Sequence, residues 1–434
     1  MKRFSWLLAS AYILATAYLV AIVPRNLPLF LLFMGSVGLL YYFKFPGWYR
    51  TVALVALLGV LMPALGTRNT FYLEVATQIG IFVALALGLN IVVGVAGLLD
   101  LGYVAFYAVG AYTWAIVGSP QALSIFPGAT NIFPLGGWWF FVFLLLAVVT
   151  AAVTGVLLGL PVLRVRGDYL AIVTLGFGEV VRVLANNLDR PINFTNGPIG
   201  ITPVGRPPLF FAPFVERLGL PATPAALYPL YFYFLVLLVV GIVIVVTQRF
   251  KDSHIGRAWE AIREDESAAI AMGVPLVRSK LLAFASGASF AGAMGVLFAS
   301  KQVFINPESF TFLESIGVLA MVILGGVGSI PGAILGASLV TVLNLQVLKQ
   351  FSLTLNAWKA AGVTIFGYRL ADLPTQLEPA KYERMVFGII LILMMIFRSQ
   401  GILPSARRRM ELEEARGGSA DPPGDPAPQT GGGG

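Results

Sequence analysis

The sequence predicts an all-α fold, a polytopic integral membrane helical bundle of about ten to twelve transmembrane or re-entrant helices. Three observations predict this class. Hydrophobic residues make up 58% of the 434-residue chain. Charged residues make up 12%, against roughly 25% in soluble proteins. The mean hydropathy of +0.84 reflects more apolar surface than a water-soluble shell can cover.

Apolar segments long enough to cross a hydrocarbon core, which takes about 20 helical residues, recur along the chain. They cover residues 6–23, 27–43, 51–66, 74–95, 101–118, 138–160, 228–247, 280–299, 330–348 and 383–397. Two weaker segments, 169–185 and 312–328, are expected to be either full spans or broken, re-entrant helices, because the first carries charged residues and the second many glycines. The first span is expected to remain as an uncleaved helix.

The distribution of basic residues predicts that both termini lie in the cytoplasm. With twelve spans and an inner N-terminus, most Lys and Arg residues of the short loops fall on the inner side, many of them in the loop of residues 248–280. The short outer loops hold only Arg25, Arg68 and Lys301. Cytoplasmic loops of membrane proteins carry this excess of basic residues.

The composition excludes several kinds of chemistry. The chain has no Cys and one His, His254, so it cannot build a disulfide, a thiolate nucleophile, a Cys-ligated metal site or a His-relayed triad. It has no G-x-x-x-x-G-K-[ST] phosphate loop and is not expected to hydrolyse ATP by that route. The net charge of +8 is too small and scattered for a nucleic-acid-binding protein. We expect neither a metal nor another cofactor in this chain.

The segment from His254 to Gly273 predicts a short amphipathic helix at about residues 257–272 on the basic, inner side. Its apolar residues recur near helical spacing, and Gly273 followed by Pro275 ends the helix. Such a helix is either a docking site for a soluble partner or an interfacial helix lying on lipid headgroups. Periodicity alone does not decide between the two.

Two glycine-interrupted segments lie in opposite halves of the chain, at residues 86–112 and 324–332. Their glycines break helical runs at membrane depth, and Asp100 lies where only a cavity or an interface can hydrate it. Such paired breaks are typical of a translocation path, although close helix packing explains the glycines nearly as well. The candidate path residues are Asn90, Gly94, Gly97, Asp100, Gly102, Tyr103, Gly325, Gly326 and Gly328.

Few ionisable residues fall within the predicted spans. Glu179 and Arg182 stand three residues apart, a spacing at which the two side chains can pair on one helix face. An ion-coupled carrier uses buried carboxylates to bind its coupling ion. Taken singly, Glu74, Asp100, Glu179, Arg182 and Glu314 favour structural roles over ion binding.

Five runs of sequence, in a fixed order, carry a family resemblance. They are Gly88–Tyr112, Leu163–Glu179, Asn196–Ile201 (NGPIGI), Gly256–Glu266 (GRAWEAIREDE) and Phe310–Ala337. Together they resemble the M-type permease of the high-affinity branched-chain amino acid ABC importer. The resemblance is dense over about residues 75–345, includes the last span, thins over the first 70 residues and is absent from the tail.

The resemblance implies a permease subunit in the bacterial inner membrane that is not itself an enzyme. Its implied partners are a second, homologous permease, two ATP-binding subunits that hold ATP and Mg²⁺, and a periplasmic protein that delivers leucine, isoleucine or valine. It also implies three regions: additional N-terminal helices at 1–70, a permease core at 71–400 and a tail at 401–434. The composition of the tail predicts a disordered cytoplasmic extension.

The resemblance further places an ATPase-coupling loop at about residues 249–280. Importer permeases carry an E-A-A-x3-G motif in this loop, and Ser267-Ala-Ala-x3-Gly273 matches it with Ser in place of Glu. The downstream I-x-L-P element is not recognisable, which leaves the individual coupling contacts open. The candidate coupling residues are Gly256, Arg257, Trp259, Glu260, Arg263, Asp265, Ala268, Ala269 and Gly273.

Two other functions compete with this interpretation. A permease for urea or short amides has the same architecture, but the sequence of residues 100–103 and 256–266 favours the amino-acid branch of the family. An autonomous ion-coupled carrier would transport without any partner. A membrane enzyme has little support in a chain with no Cys and one His.

Overall fold

The computed structural model describes residues 2–22, 27–42, 45–163, 165, 168–217, 223–344, 349–362, 364–365, 368–369, 385, 388–389, 392–393, 396 and 401–403. Every long element in these ranges is helical, and the predicted fold class, a polytopic helical bundle, is confirmed. Most of the predicted span at 383–397 and nearly all of the predicted tail lie outside the described residues.

The described residues among the first 95 form five α-helices and two π-helical turns. The elements are α1 (Lys2–Ile22), α2 (Leu27–Tyr42), α3 (Gly47–Ala56), a π-turn (Leu57–Leu61), α4 (Met62–Arg68), α5 (Thr70–Leu89) and a second π-turn (Asn90–Val95). Helix α1 packs mainly against α2, and α4 packs against α5. The region that precedes α5 therefore lies beside the rest of the bundle.

The remainder of the chain alternates long helices with short ones. As far as Asp252 the elements are α6 (Val104–Ala115), α7 (Ala122–Ile125), α8 (Trp139–Val162), α9 (Asp168–Asn187), a 3₁₀ helix (Gly197–Ile199), α10 (Ala212–Arg217) and α11 (Pro224–Asp252). They continue with α12 (His254–Glu264), α13 (Glu266–Ala271), α14 (Leu276–Gln302), a 3₁₀ helix (Pro307–Phe310), α15 (Phe312–Gly325), α16 (Ile330–Val342) and α17 (Lys349–Ala360). Two-residue strands β1 (Thr364–Ile365) and β2 (Tyr368–Arg369) pair antiparallel, with Thr364 opposite Arg369.

Within the described residues, seven helical segments have the length and apolar composition to cross a membrane. They are Gly47–Arg68, Thr70–Val95, Trp139–Val162, Tyr169–Asn187, Pro224–Asp252, Leu276–Gln302 and Pro307–Gly325. Three shorter apolar helices, Leu8–Ile22, Pro28–Leu40 and Ile330–Val342, accompany them. The weaker predicted segment 169–185 thus belongs to a helix long enough to span. Residues 312–325 of the other belong to the segment Pro307–Gly325, and residues 326–328 lie in the turn after it.

The predicted span at 101–118 is wrong in its length. Helix α6 begins only at Val104 and ends at Ala115, because residues 96–103 run without helical structure. A hydropathy pattern reflects apolar side chains and does not show where the backbone leaves the helix. Helix α6 is consequently a half-length helix.

Helices α5 and α14 form the centre of the bundle. Helix α14 packs against α8 and α6 on one side and against α5 on another, while α11 and α16 cover α5. Small residues allow these approaches: a Cβ atom on Gly292 would lie 2.5 Å from the Ala147 carbonyl oxygen of α8. We call the end of the bundle that carries residues 249–280 the loop end, and the opposite end, which carries residues 201–205 and 303–305, the far end.

Candidate functional site

The irregular chain between α5 and α6 is held by side chains from other helices. The backbone N–H of Leu101 donates to Thr174 Oγ1 of α9 at 3.0 Å, and that of Val104 donates to Ser315 Oγ of α15 at 3.1 Å. Asp100 Oδ1 accepts from the N–H of Gly102 at 2.9 Å. Non-helical backbone at membrane depth is tolerated only when its polar groups are satisfied within the protein. We call residues 96–103 the hinge.

The hinge brings the start of α6 well inside the bundle. Tyr103 Oη donates to the carbonyl oxygen of Gly287 at 3.0 Å. Gly287 lies about 16 Å along α14 from Leu276, at 1.5 Å per residue. The chain therefore reaches the loop end at Val95, returns to mid-bundle through the hinge and continues as α6 towards the far end. Discontinuous helices of this kind are typical of transporter binding sites.

Gly102 is the point of closest approach between the hinge and α9. A Cβ atom there would collide with the carbonyl oxygen of Thr174, a backbone atom that cannot rotate away. Glycine is therefore required at this position for packing. Gly97, earlier in the hinge, has a φ of +73°, a left-handed conformation that favours glycine.

The second glycine segment lies against the first. It forms the turn between α15 and α16, where Gly328 has a φ of +78° and donates its N–H to Asn90 Oδ1 at 2.8 Å. A Cβ atom on Gly94 would lie 2.5 Å from that same Gly328 nitrogen. Gly326 provides a second positive φ, of 120°, in the turn. The structure therefore joins candidate path residues that are 238 positions apart.

Residues 401–403 stabilise this turn in a way that sequence reasoning missed. The N–H of Ile402 donates to the Leu324 carbonyl at 2.8 Å, and the N–H of Leu403 donates to the Gly325 carbonyl at 3.0 Å. These bonds satisfy carbonyl groups at the C-terminal end of α15, which have no partner within the helix. No sequence motif predicts the contact between residues 401–403 and the end of α15.

The predicted single helix at 257–272 is wrong, because the segment forms two helices, α12 and α13. Asp265, with φ −151° and ψ 113°, interrupts the helix and caps α13. Its Oδ1 accepts from the N–H groups of Ser267 at 2.8 Å and Ala268 at 2.9 Å. An Asp at an N-cap satisfies backbone donors that the helix leaves unpaired. Gly273, with φ +84°, ends the segment as predicted.

Trp259 anchors α12 to the bundle. Its side chain is buried, and its Nε1 donates to the Ser279 carbonyl in α14 at 2.7 Å. Gly256 allows α12 to begin close to the end of α11, because a Cβ atom there would lie 2.5 Å from the Lys251 carbonyl oxygen. Ala269 is also buried, whereas Ala268 and Arg257 are exposed and Glu260 is half-buried.

Two basic side chains at the loop end bind carbonyl groups of the glycine segments. Arg263 Nη1, from the last turn of α12, donates to the Gly94 carbonyl at 2.6 Å. Lys251 Nζ, from the last turn of α11, donates to the Gly328 carbonyl at 3.1 Å. We use the name glycine junction for the five residues Asn90, Gly94, Lys251, Arg263 and Gly328. The junction links the loop to both glycine segments through charge-assisted hydrogen bonds.

Two buried polar atoms near the junction and the hinge have no hydrogen-bond partner among the described residues. They are Asn90 Nδ2 and Asp100 Oδ2, on side chains that are fully buried. Buried polar atoms are rarely left unpaired, so each marks a place where another group or a water is expected. Among the described residues, no cluster of three or more His, Cys, Asp or Glu side chains is placed to hold a metal ion.

The predicted pairing of Glu179 with Arg182 is confirmed and gains a third member. Arg182 Nε donates to Glu179 Oε2 at 2.9 Å, and Arg182 Nη1 donates to Glu308 Oε1 at 2.9 Å. Glu308 lies in the 3₁₀ helix that precedes α15. It is 126 positions away from Arg182, which is why local spacing did not identify it.

Comparisons with known proteins give a consistent result. Residues 71–395 match the family model described as a branched-chain amino acid transport system / permease component. The chain is 40% identical over 374 residues to the high-affinity branched-chain amino acid transport system permease protein LivM of Escherichia coli (strain K12), covering 83% of this chain and 76% of the relative.

More distant relatives extend the comparison. The probable branched-chain amino acid transport permease protein LivM of Methanocaldococcus jannaschii is 25% identical over 325 residues, which cover 73% of this chain and 84% of that one. The high-affinity branched-chain amino acid transport system permease protein LivH of Escherichia coli (strain K12) is 38% identical over 84 residues, or 19% of this chain and 27% of the relative. No solved structure matches the chain.

Proposed function

Because this chain belongs to the branched-chain amino acid transport permease family, we propose that it is a permease subunit of an ATP-driven importer for leucine, isoleucine and valine. The chain is a multi-pass membrane protein and a transport component rather than an enzyme. We place it in the bacterial inner membrane, with the loop end and both termini in the cytoplasm. The basic character of the 249–280 loop supports this orientation.

The working importer needs further subunits. Local similarity to LivH, a permease of the same kind of system, supports pairing with a second, homologous permease. Two ATP-binding subunits would supply the energy and hold ATP and Mg²⁺, and a periplasmic protein would deliver the amino acid. The chain has no phosphate loop of its own, so its part in the cycle is mechanical.

We assign the transport core to residues 71–400 and the additional helices to residues 1–70, followed by the tail at 401–434. The family match begins at residue 71, at the start of α5. Helices α1 to α4 pack largely against one another and reach the bundle centre mainly through α4. This arrangement supports a peripheral role for the first region.

The loop of residues 249–280 is proposed to dock on the ATPase through α13. Ile270 and Met272 are 49% and 85% exposed, whereas the neighbouring Ala269 is buried. Exposed apolar side chains at a helix end suit a groove in a partner. An interfacial helix on lipid would also bury them, so the test below uses ATP coupling as its readout.

The observation that carries the coupling proposal is the 2.6 Å hydrogen bond from Arg263 Nη1 to the Gly94 carbonyl. Closure of the ATPase dimer would move α12 and α13, and Arg263 would pass that movement to the end of α5. The hinge and α6 follow directly in the chain, so their position would change with the loop. A ligand-driven switch requires contacts that differ between its two states, and we propose the bond from Arg263 to the Gly94 carbonyl as one such contact.

The experiment is an Arg263→Met substitution in the fully assembled importer, reconstituted in liposomes with ATP. Loss of a hydrogen bond to a charged group is worth about 2 kcal/mol, so we expect leucine uptake to fall by about tenfold or more. ATP hydrolysis should persist, because the loop still docks. Leucine transported per ATP hydrolysed is the measured quantity.

The matched control is Arg249→Met, which removes an exposed arginine from the last turn of α11. It should leave the leucine-to-ATP ratio unchanged. A wild-type ratio in Arg263→Met would refute the coupling role of the junction. Competition of labelled leucine uptake by unlabelled leucine and by urea separates the amino-acid importer from a urea permease: only leucine is expected to compete.

A further inference from the structure

Residues 401–403 lie against the turn between α15 and α16, although they fall beyond the part of the chain that matches the transport family. That match ends at residue 395. The N–H groups of Ile402 and Leu403 donate to two consecutive carbonyl groups at the end of α15, at 2.8 Å and 3.0 Å. Both bonds join backbone to backbone, so they do not depend on which side chains stand at these positions. We call residues 401–403 the clamp.

Glycine residues on both sides of this contact allow the clamp to lie so close. A Cβ atom on Gly401 would lie 2.7 Å from the Gly326 nitrogen, and Gly401 has a φ of +78°, which also favours glycine. A Cβ atom on Gly332, near the start of α16, would lie 2.8 Å from the Leu403 carbonyl oxygen. The clamp therefore contacts the chain on both sides of the turn, at the end of α15 and at the start of α16.

The turn itself has a permissive backbone. Three of the four residues 325–328 are glycine, and Gly326 and Gly328 have positive φ. Glycine adopts many backbone conformations, so contacts from outside the turn decide which conformation it keeps. The clamp donates hydrogen bonds at the start of the turn, whereas Asn90 and Lys251 bind its last residue, Gly328. The turn is therefore held between the clamp and the glycine junction.

We infer that the clamp positions the turn for coupling, because it holds Gly328 where Asn90 and Lys251 bind it. Only two residues separate Gly325, which accepts a bond from the clamp, from Gly328. A displacement at one end of the turn is therefore carried to the other, and movement of the loop reaches α15 and α16 as well as the hinge. This role rests on the importer function proposed above. The transport core then ends after residue 403 rather than residue 400.

A purely structural cap is the alternative role for residues 401–403. Such a cap would satisfy carbonyl groups that α15 leaves unpaired at its end, without influencing the glycine junction. Both roles predict a lower unfolding temperature when the clamp is removed. Only the positioning role predicts that less leucine is transported per ATP hydrolysed, and that this loss overlaps with the loss caused by removing the Lys251 contact.

The test compares two truncated forms of the chain in the complete importer, reconstituted in liposomes with ATP and leucine-loaded binding protein. One form ends at Gln400 and lacks the clamp. The other ends at Ser405, which retains the clamp and keeps the new terminal carboxylate two residues away from it. One hydrogen bond is worth about a factor of five in an equilibrium constant, so the Gln400 form should transport about fivefold less leucine per ATP, or lower still. The Ser405 form should match the full chain.

A single substitution tests the same contact without removing any residue, and it decides the matter if the Gln400 form does not assemble. Gly401→Ala adds a methyl group against Gly326 and strains the backbone, so it should lower leucine transported per ATP by about threefold. The matched control is Gly388→Ala, in the last predicted span, where an added Cβ atom meets nothing within 4 Å. It should transport as the wild type does.

A double variant tests whether the clamp acts through Gly328. Lys251→Met removes the bond to the Gly328 carbonyl and should lower leucine transported per ATP by about threefold in the full chain. In the form that ends at Gln400 the same substitution should have little further effect, because Gly328 is no longer held in place. Residues that act through one contact give such non-additive effects. Additive losses would contradict positioning through Gly328.

The outcomes separate this proposal from the importer function on which it rests. A wild-type ratio of leucine to ATP in both the Gln400 form and Gly401→Ala would overturn the positioning role, even if the unfolding temperature fell, and would leave the importer function intact. Amide hydrogen exchange over residues 324–328 gives a readout that does not need transport, and it should be faster in the Gln400 form than in the Ser405 form. Equal exchange would show that the clamp does not hold the turn. If the full-length complex itself failed to take up leucine, the importer function would be wrong.

Discussion

The two ends of the bundle are held together by different kinds of hydrogen bond. At the far end, neutral groups pair: the N–H of Ile201 donates to the Ile305 carbonyl at 2.8 Å, and Trp114 Nε1 donates to the Gly205 carbonyl at 2.9 Å. At the loop end, Trp259 Nε1 makes a comparable neutral bond to the Ser279 carbonyl, and in addition Arg263 and Lys251 reach carbonyl groups from the ends of long side chains.

This difference suggests that the two ends have different roles, one fixed and one able to change its contacts. Backbone pairing and a buried indole fix positions, because neither can be lost without exposing unsatisfied polar groups. An arginine or lysine head can leave a carbonyl for water or for another acceptor, because its flexible stem allows it to extend. We therefore expect the far end to behave as a fixed frame, and the Arg263 and Lys251 contacts of the loop end to behave as a switch. Substitutions at four positions, each with its own control, test that division in order of decreasing effect.

Gly102→Ala should have the largest effect, because it disrupts the packing of the hinge against α9. The added methyl group would collide with the Thr174 carbonyl oxygen, and overpacking of this kind costs about 3 kcal/mol. We expect a lower yield of folded protein, a lower unfolding temperature in detergent and loss of leucine uptake.

The matched variant is Gly176→Ala, two positions after Thr174 on the same helix, where an added Cβ atom meets nothing within 4 Å. It should fold and transport as the wild type does. Equal unfolding temperatures for the two variants would show that the hinge does not pack on α9 as described.

Trp114→Phe tests the fixed frame. The indole is fully buried, and its loss removes the bond to Gly205 and leaves a small cavity, which together cost about 2 kcal/mol. The unfolding temperature should fall, while leucine transported per ATP should stay at the wild-type value. Trp138→Phe, at a position 66% exposed, is the control for stability. A reduced transport ratio in Trp114→Phe would mean that the far end also takes part in coupling.

Gly273→Val tests the end of the docking segment. A Cβ atom there meets nothing within 4 Å, so the cost comes from the backbone φ of +84°, which disfavours a β-branched residue by about 1–2 kcal/mol. The unfolding temperature should fall by less than it does in Trp114→Phe, because the strain lies in an exposed turn, whereas uptake per ATP should decrease. Gly241→Ala, in a helical and open position of α11, should change neither quantity. Wild-type coupling in Gly273→Val would argue against docking through α13.

Charge reversal at Asp265 should have the smallest effect. Asp265→Lys removes the N-cap of α13 at a cost of about 1 kcal/mol, and Asp265→Asn retains an acceptor oxygen. We expect partial uncoupling in the first variant, near-normal uptake in the second, and a stronger defect when Glu260→Lys is added to Asp265→Lys. Equal uptake by the Lys and Asn variants would contradict a role for the cap.

Features that depend on local sequence could be predicted. Apolar runs of helical length gave most of the spans, the i, i+3 spacing gave the pair of Glu179 and Arg182, and Gly273 marked the end of the loop segment. The break at Asp265 was missed, although an Asp two or three residues before the N–H groups that it caps is a recognisable signal.

Features that depend on distant contacts could not be predicted from one sequence. The bond between Gly328 and Asn90 joins positions 238 residues apart, and Glu308 joins Arg182 across 126 residues. The half-length of α6 depends on donors from α9 and α15, which satisfy the hinge backbone. Hydropathy and periodicity describe one helix at a time, whereas each of these three features depends on contact between segments that are distant in the sequence.

The central claim is that this chain is a gate without its own energy source. The most direct test measures leucine accumulation in liposomes that contain either this chain alone or the complete importer with ATP, under the same proton and sodium gradients. Uphill accumulation is predicted only for the complete importer, and the chain alone should remain inactive. Sustained uphill accumulation of leucine by the chain alone would contradict the account.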